Sequence, residues 1–358
     1  MEKFVFSENL MKRIEWLDIA KYFFIMVVIL EHLEAGADEL SCLIVPYTLP
    51  GFLFVSGYTH KSGQPFKSFF IKKFRTLFLP WLILTFFDIT LSQLVSFGEH
   101  RYFYELGWNL LQIRGLHDQM WFVAALFTCY FPFYFFIEWY KKKSSENNHR
   151  TEAFLALALL SLGAAVLYSL TMKPEWFPWG TISLPWHADY ALRGLFFMSC
   201  GYFFHEKYEK YYERFNPYIR AIVFTLVYAA IVYAPYFVTI PNLIFSVTAN
   251  LITPLLGMFA IFSISKVLPA NPYIMYVGQN TLLYFAFHGK VFGLIEGIFR
   301  SFFAQPYYAI LSNKITSIVF AIIFAVVVSL ILIIPSYIVN RWFPFILGKR
   351  KPKAPKTT

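Results

Sequence analysis

Charge is what this chain has least of. Of 358 residues only 15% are Asp, Glu, Lys or Arg, where soluble domains sit near about one-quarter. That scarcity, with 58% hydrophobic residues and a mean hydropathy of +0.53, excludes an ordinary soluble enzyme. Cysteine is nearly absent too. Cys42, Cys129 and Cys200 are odd in number and widely spaced, which excludes a disulfide framework and a metal site. No Gly-rich phosphate loop, nucleophile elbow or metal-ligand cluster occurs. Zinc-finger spacing, arginine-rich motifs and RNP-like strands are missing, so the net charge of +10 does not point to nucleic acid. The first apolar run carries charges throughout and no small-residue cleavage site follows it. It is expected to stay as a helix rather than leave as a signal peptide.

What is present is apolar and aromatic, including 43 Phe and 24 Tyr. Apolar runs of membrane-spanning length, roughly 17–25 residues, recur along the chain. Ten spans are expected, at 14–33, 43–59, 76–97, 119–139, 153–171, 190–205, 218–237, 243–265, 280–299 and 315–339. The fold class is therefore an all-α integral membrane protein of about ten transmembrane helices. Sidedness checks the count, because Lys and Arg collect in cytoplasmic segments. With both termini cytoplasmic, outside segments hold only Arg101, Arg114, Lys173, Arg300 and Lys314, and spans hold only Lys21, Arg193 and Lys290. The rest of the 31 basic residues fall inside. The chain reads as one membrane domain, 1–340, and a basic tail, 341–358, expected to be disordered against anionic lipid.

The first span, "WLDIAKYFFIMVVILEHL" (16–33), keeps four ionisable residues. Lys21 and His32 lie eleven residues apart, almost three turns, on one face and about 16 Å apart along the axis. Asp18 sits one turn below Lys21. Such a stripe must face the protein interior or water, since lipid would make it costly. Asp18 and Lys21 read either as a helix-joining ion pair or as part of a site. Glu31, with Glu34, Asp38 and Glu39, reads as a solvated outer face.

Three other stretches carry polar groups at membrane depth. In "FFIKKFRTLFLPWLILT" (69–85), Lys72 and Arg75 share a helix face at the entry to the third span. They suit a phosphate-bearing cofactor arriving from the cytosol, or simple positive-inside anchoring. In "VGQNTLLYFAFHGKV" (277–291), Asn280, Tyr284 and His288 fall at i, i+4 and i+8, a polar stripe with Lys290 beside it. "HDQMWFVAALF" (117–127) and "PWHADYALRGLFFMSCGYFF" (185–204) place His117, Asp118, Trp121, Trp186, His187, Asp189 and Arg193 near the outer boundary. Aromatics there read either as an interfacial belt or as a surface for sugar rings.

Together these stretches resemble the acyltransferase-3 family of integral membrane acyltransferases, and within it the fucose 4-O-acetylase-like sugar O-acetyltransferases. The resemblance rests on Leu17, Asp18, Lys21 and His32, then "GFLFVSGY" (51–58), Lys72-x-x-Arg75 before Pro80, Trp121-Phe122, "FFMSCGYFF" (196–204) and "VGQNTLLYFAFH" (277–288), in that order over about 13–340. Two positions often Arg in the wider family are Lys21 and Lys72 here, and Lys does not reproduce the bidentate grip of Arg.

The resemblance implies an O-acyltransferase of the bacterial plasma (inner) membrane. Its donor is expected to be an acyl-CoA, most simply acetyl-CoA, with no permanently bound cofactor and no metal. Its acceptor is expected to be a cell-envelope carbohydrate or lipid-linked sugar. His32 is the expected general base or acyl carrier, with Lys21, Asp18 and His288 as further catalytic candidates. Lys72 and Arg75 are expected at the donor phosphates, and Trp121, Asp189 and Arg193 at the acceptor. Membrane lipid is an expected partner and nucleic acid is not. A multi-pass transporter or flippase for a glycan or anionic substrate is the alternative, and no internal repeat supports it.

Overall fold

The computed structural model describes residues 14–32, 37–95, 102–116, 120–144, 150–239 and 241–349. His117, Asp118, Glu34, the residues before Ile14 and the tail from Arg350 onward lie outside the described residues, as do the side chains of Asp38, Glu39 and Cys42.

The described residues form helices and no strand. In chain order these are α1 (Glu15–Glu31), α2 (Ala37–Tyr58), α3 (Phe66–Lys73), α4 (Leu79–Val95), α5 (Tyr102–Leu111), α6 (Trp121–Ser144), α7 (Arg150–Thr171), α8 (Tyr190–Phe203) and α9 (Glu209–Tyr212). They continue as α10 (Pro217–Tyr233), α11 (Asn242–Val247), α12 (Thr253–Val267), α13 (Pro272–Gln279), α14 (Thr281–Phe302), α15 (Ala304–Leu311), α16 (Lys314–Ile331) and α17 (Ile333–Trp342). Asn-Pro pairs start two of them. Asn216 and Asn271 each accept the second and third backbone N–H groups of their helix, while Pro217 and Pro272 occupy a position that needs no donor.

Among the described residues seven helices are long and apolar enough to cross a membrane: Phe66–Gln93, Trp121–Lys143, Thr151–Thr171, Pro217–Tyr236, Ile244–Val267, Thr281–Phe302 and Lys314–Trp342. Three of the ten expected spans fall on shorter helices: α1, the Leu43–Tyr58 part of α2, and α8. These three are central. Phe24, Leu53, Phe54, Phe197 and Met198 are fully buried where they meet. A helix shielded by its neighbours has no need of an apolar surface all round, so short length and internal charge are tolerated there. The peripheral helices do the opposite. Leu160, Leu167 and Leu170 on α7, Ile222 and Leu226 on α10 and Ile323 on α16 point outward and exposed, the surface a bilayer requires.

Glycine sets how closely the central helices approach. A Cβ on Gly57 would lie 1.8 Å from the Met198 carbonyl oxygen, and one on Gly201 would lie 2.0 Å from that of Phe54. The "SGY" and "SCGY" stretches are thus the crossing point of α2 and α8. On the other side of α1, a Cβ on Gly278 would lie 1.9 Å from the Asp18 carbonyl oxygen, so α13 rides directly on the α1 backbone.

The third span begins earlier than its hydropathy indicates. α3 passes through a π-helical turn, Phe74–Phe78, straight into α4. Lys72, Lys73 and Arg75 therefore lie within one continuous helix, and the Lys73 ammonium sits 3.4 Å above the Tyr130 ring in the middle of α6. Long side chains with charged tips make this possible, since the stem packs while the tip finds a partner. Two more π turns occur, at Phe204–Tyr208 after α8 and at Thr248–Ile252 before α12.

Candidate active site

α1 carries ionisable groups at both ends, and each end opens onto a different environment. At its N-terminal end the Lys21 Nζ lies 2.6 Å from the Asp18 Oδ1. Asp18 is buried and Lys21 half-buried, facing a cleft of about 730 Å³. The far wall is the end of α2 and the turn after it, with Ser56, Thr59, His60, Lys61 and Ser62. The rim is His205 and Glu206 of the second π turn. The cleft mixes these polar groups with Ile14, Leu17 and Val55, and it is large enough for a substantial ligand and partly open.

A partly buried ionic network braces the rim. Tyr58 Oη donates to Glu209 Oε2 at 2.6 Å, and Lys266 Nζ donates to Glu209 Oε1 at 3.0 Å and to Glu213 at 2.6 Å. His205 Nδ1 lies 3.3 Å from the same Glu209. Burial pushes the Glu209 carboxyl up, but the hydrogen bonds from Tyr58 and Lys266 outweigh it and hold the group below its ordinary value. Lys266 also sits 4.6 Å over the Trp16 ring, which ties the network to the start of α1.

His60 stands in the cleft wall with its ring edge-to-face against Phe69 and Phe133, at 5.9 and 5.0 Å. Burial, then Lys73, Lys72 and Lys141, pushes its imidazole from 6.5 down to about 4. That influence places Lys72 in a basic cluster near His60. Arg75 belongs elsewhere: its carbonyl oxygen lies under Gly348, 2.4 Å from where a Cβ on that residue would sit. Lys72 and Arg75 were expected as one pair on a cofactor. Neither is a lining residue of the cleft, and Arg75 lies inside the π turn that follows Lys73.

The C-terminal end of α1 meets α14. The rings of His32 and His288 lie 4.5 Å apart at 78°. His32 Nδ1 is 2.7 Å from the Val28 carbonyl oxygen, and His288 Nδ1 is 2.8 Å from that of Phe285. A carbonyl only accepts, so both rings donate through Nδ1, and the lone pair of each neutral ring is on Nε2. His32 is exposed and His288 buried. The buried Nε2 of His288 has no hydrogen-bond partner among the described residues.

The two ends are not in register for one carbonyl. His32 lies about 16 Å along the axis from Lys21, and Ile25, Val28 and Ile29 between them are buried against α13, α14 and α16. A group at His32 is out of reach of Lys21 as it is held here by Asp18, and Lys21 lines the cleft instead. The stripe Asn280–Tyr284–His288 also separates. Asn280 ends α13 and accepts from Asn340, Tyr284 Oη donates to the Ser329 carbonyl, and only His288 meets His32. Lys290 points to α4, 3.4 Å from Asp88 and 2.5 Å from Ser92 Oγ. Glu31, expected in a solvated face, is half-buried.

Trp121 lies on the His32 side. Its neighbour Phe122 contacts Phe285, which contacts His288, at ring separations of 6.2 and 5.7 Å. Trp121 itself meets His187 at 5.3 Å and Tyr190 at 5.8 Å. Asp189 and Arg193 are occupied by the fold. Asp189 receives the Arg114 guanidinium at 3.0 Å and the Leu184 N–H at 3.0 Å, and Arg193 donates to Asn250 Oδ1 at 2.8 Å. Trp186 and His187 both have positive φ, near 56° and 50°, a strained turn that buries the His187 ring beside Trp121. Burial, then Arg114, pushes His187 down to about 4.

His60, His205, Glu209, Lys266, Arg114 and Gly278 were not singled out in the sequence. "GYTHK" at the close of the second apolar run was the one available signal, a His and a Lys directly after a span. The described residues hold no cluster of three or more His, Cys, Asp or Glu able to bind a metal.

Residues 14–334 match a family model described as an acyltransferase domain, that of acyltransferase-3. No curated protein and no solved structure matches the chain significantly.

Proposed function

The chain belongs to the acyltransferase-3 family, and on that premise we propose that it is a membrane O-acyltransferase of the fucose 4-O-acetylase-like branch, moving an acetyl group from acetyl-CoA to a hydroxyl of a cell-envelope carbohydrate. It sits in the bacterial plasma membrane with ten spans and both termini cytoplasmic. The observation that carries the reading is the His32–His288 pair, whose Nδ1 atoms are both committed to carbonyls. That commitment leaves an exposed imidazole with its basic nitrogen free of backbone duty, held by a buried second ring.

The division of labour follows from the two ends of α1. The donor enters the Lys21 cleft from the cytoplasm, with its phosphates on the lysines around His60 and its thioester arm directed along α1. Movement of the arm to His32 passes Ile25 and Val28, which are packed against α13, α14 and α16. At His32 the acceptor hydroxyl gives its proton to Nε2 as its oxygen attacks the thioester carbonyl carbon. The C–S bond then breaks, the acetyl ester remains on the sugar, and the proton leaves with the CoA sulfur. Because His32 caps α1, the carbonyl-rich end of that helix faces the positive charge the ring acquires. Trp121, one ring away from Phe122, supplies an aromatic face for the sugar.

The test uses membrane vesicles with acetyl-labelled acetyl-CoA and envelope glycan, counting alkali-labile label in the glycan at matched expression. Label with the native chain and none with His32→Ala is the expected result. Equal label from both removes His32 as the base.

A further inference from the structure

His60 lines the cleft, and the proposed chemistry leaves it without a task. Its backbone N–H donates to the Gly57 carbonyl at 3.0 Å, but its side-chain Nε2 is buried with no hydrogen-bond partner among the described residues. The imidazole as a whole is packed by aromatic rings. Phe133 stands edge-to-face to the imidazole at 5.0 Å and 77°, with Phe69 and Tyr202 at 5.9 and 6.2 Å. We assign the proton to this buried Nε2, because an aromatic surface attracts an N–H and repels a lone pair. The Nδ1 lone pair is then the group left for the cleft, and His60 is among the lining residues.

The charge around it narrows the ligand group. Lys61 adjoins His60 in the cleft wall, and Lys72 and Lys73 lie close enough to depress its titration. Phosphates bind the ammonium groups and are repelled by a lone pair. A neutral acceptor set among cations instead selects an uncharged N–H. An acyl-CoA offers such groups in the two amides of its pantetheine arm and in its adenine amine. The cleft ends on Asp18 and Lys21 at the foot of α1, which is where the arm has to pass.

We propose that His60 recognises the acyl donor by accepting a hydrogen bond at Nδ1 from a pantetheine amide N–H, with Lys61 holding phosphate. The inference rests on the donor entering this cleft, as the proposed function has it. It makes His60 a binding residue that distinguishes pantetheine thioesters from other acyl donors.

Full-length protein in lipid nanodiscs would be assayed with acetyl-CoA and with acetyl-pantetheine, which lacks the nucleotide. His60→Phe keeps the ring packing and deletes the acceptor, His60→Gln restores a carbonyl acceptor, and Lys61→Ala removes one charge. Loss of one hydrogen bond corresponds to a KM rise of about five-fold. The expected result is that rise for both donors in His60→Phe with kcat retained, partial return in His60→Gln, and a rise for acetyl-CoA alone in Lys61→Ala. An unchanged KM for acetyl-pantetheine in His60→Phe overturns the proposal, and a rise confined to acetyl-CoA does so too by pointing to adenine. If the native protein consumes neither donor, the proposed function fails and takes this inference with it. If it consumes both and His60→Phe matches it, only this inference fails.

Discussion

The N-terminal end of α1 faces a partly open cleft lined by Lys21 and Lys61, with Lys21 paired to Asp18 and the Glu209–Lys266 network behind its rim. Its C-terminal end faces a single buried imidazole and a relay of aromatic rings, with no ion pair described at His32. The first environment suits an anionic ligand that must be held and released. The second suits a neutral base whose lone pair is aimed by backbone carbonyls. In the proposed function one helix thus separates binding from proton transfer by about 16 Å. The residues between, Ile25, Val28 and Ile29, are packed as core. Under this reading, binding energy and chemistry respond to different substitutions.

Several changes would break or sharpen that separation. The largest effect is expected from His32→Ala, a loss of about 10²–10⁴-fold in kcat for acyl transfer with donor KM unchanged; a change confined to KM would place the chemistry in the cleft instead. Asp18→Ala leaves Lys21 without its carboxylate in a half-buried site. It should cost at most about 3 kcal/mol, because Lys21 keeps some solvent, and the unfolding midpoint of the detergent-solubilised protein reads it. Gly278→Ala drives a methyl group into the Asp18 carbonyl and should cost about 1–3 kcal/mol. Because α13 continues into α14, it should also lower kcat by displacing His288, whereas Gly289→Ala, where a Cβ meets open space, should do neither.

The smallest expected effect is on acid stability. Glu209 is held below its ordinary value in the fold, so its contribution is complete above the unfolded pKa and fades as pH falls through the folded one. His60 acts in the same direction over a higher window. Its folded pKa of about 4 lies below 6.5, so the unfolded chain binds the extra proton as pH drops from 6.5 toward 4. Glu209→Gln should flatten the melting profile near pH 4, and His60→Phe should flatten it between 4 and 6.5. A Glu209→Gln profile that matches the native one would separate the rim network from stability.

The site was legible in the sequence where a polar residue stood alone in an apolar run. His32, His288, Asp18 and Lys21 stand out this way because an ionisable group at membrane depth needs a partner or a task. Lys72 and Arg75 were legible as charges, but the π turn Phe74–Phe78 that holds Arg75 was not, since hydropathy carries no signal of it. Asp189 and Arg193 looked equally available, yet Arg114 and Asn250 occupy them from segments far away in the chain.

Composition and hydropathy by themselves determined the all-helical membrane class, because a backbone in lipid must satisfy its hydrogen bonds within the segment. Motif order was enough for the family. Which charges meet was decided only in three dimensions. The His32–His288 contact joins residues 256 positions apart, and the cleft unites α1, the turn after α2 and the π turn after α8. Periodicity reports which face of a helix is apolar, not which helix lies against it. That choice was settled by the steric fit of Gly57, Gly201 and Gly278 against neighbouring backbones.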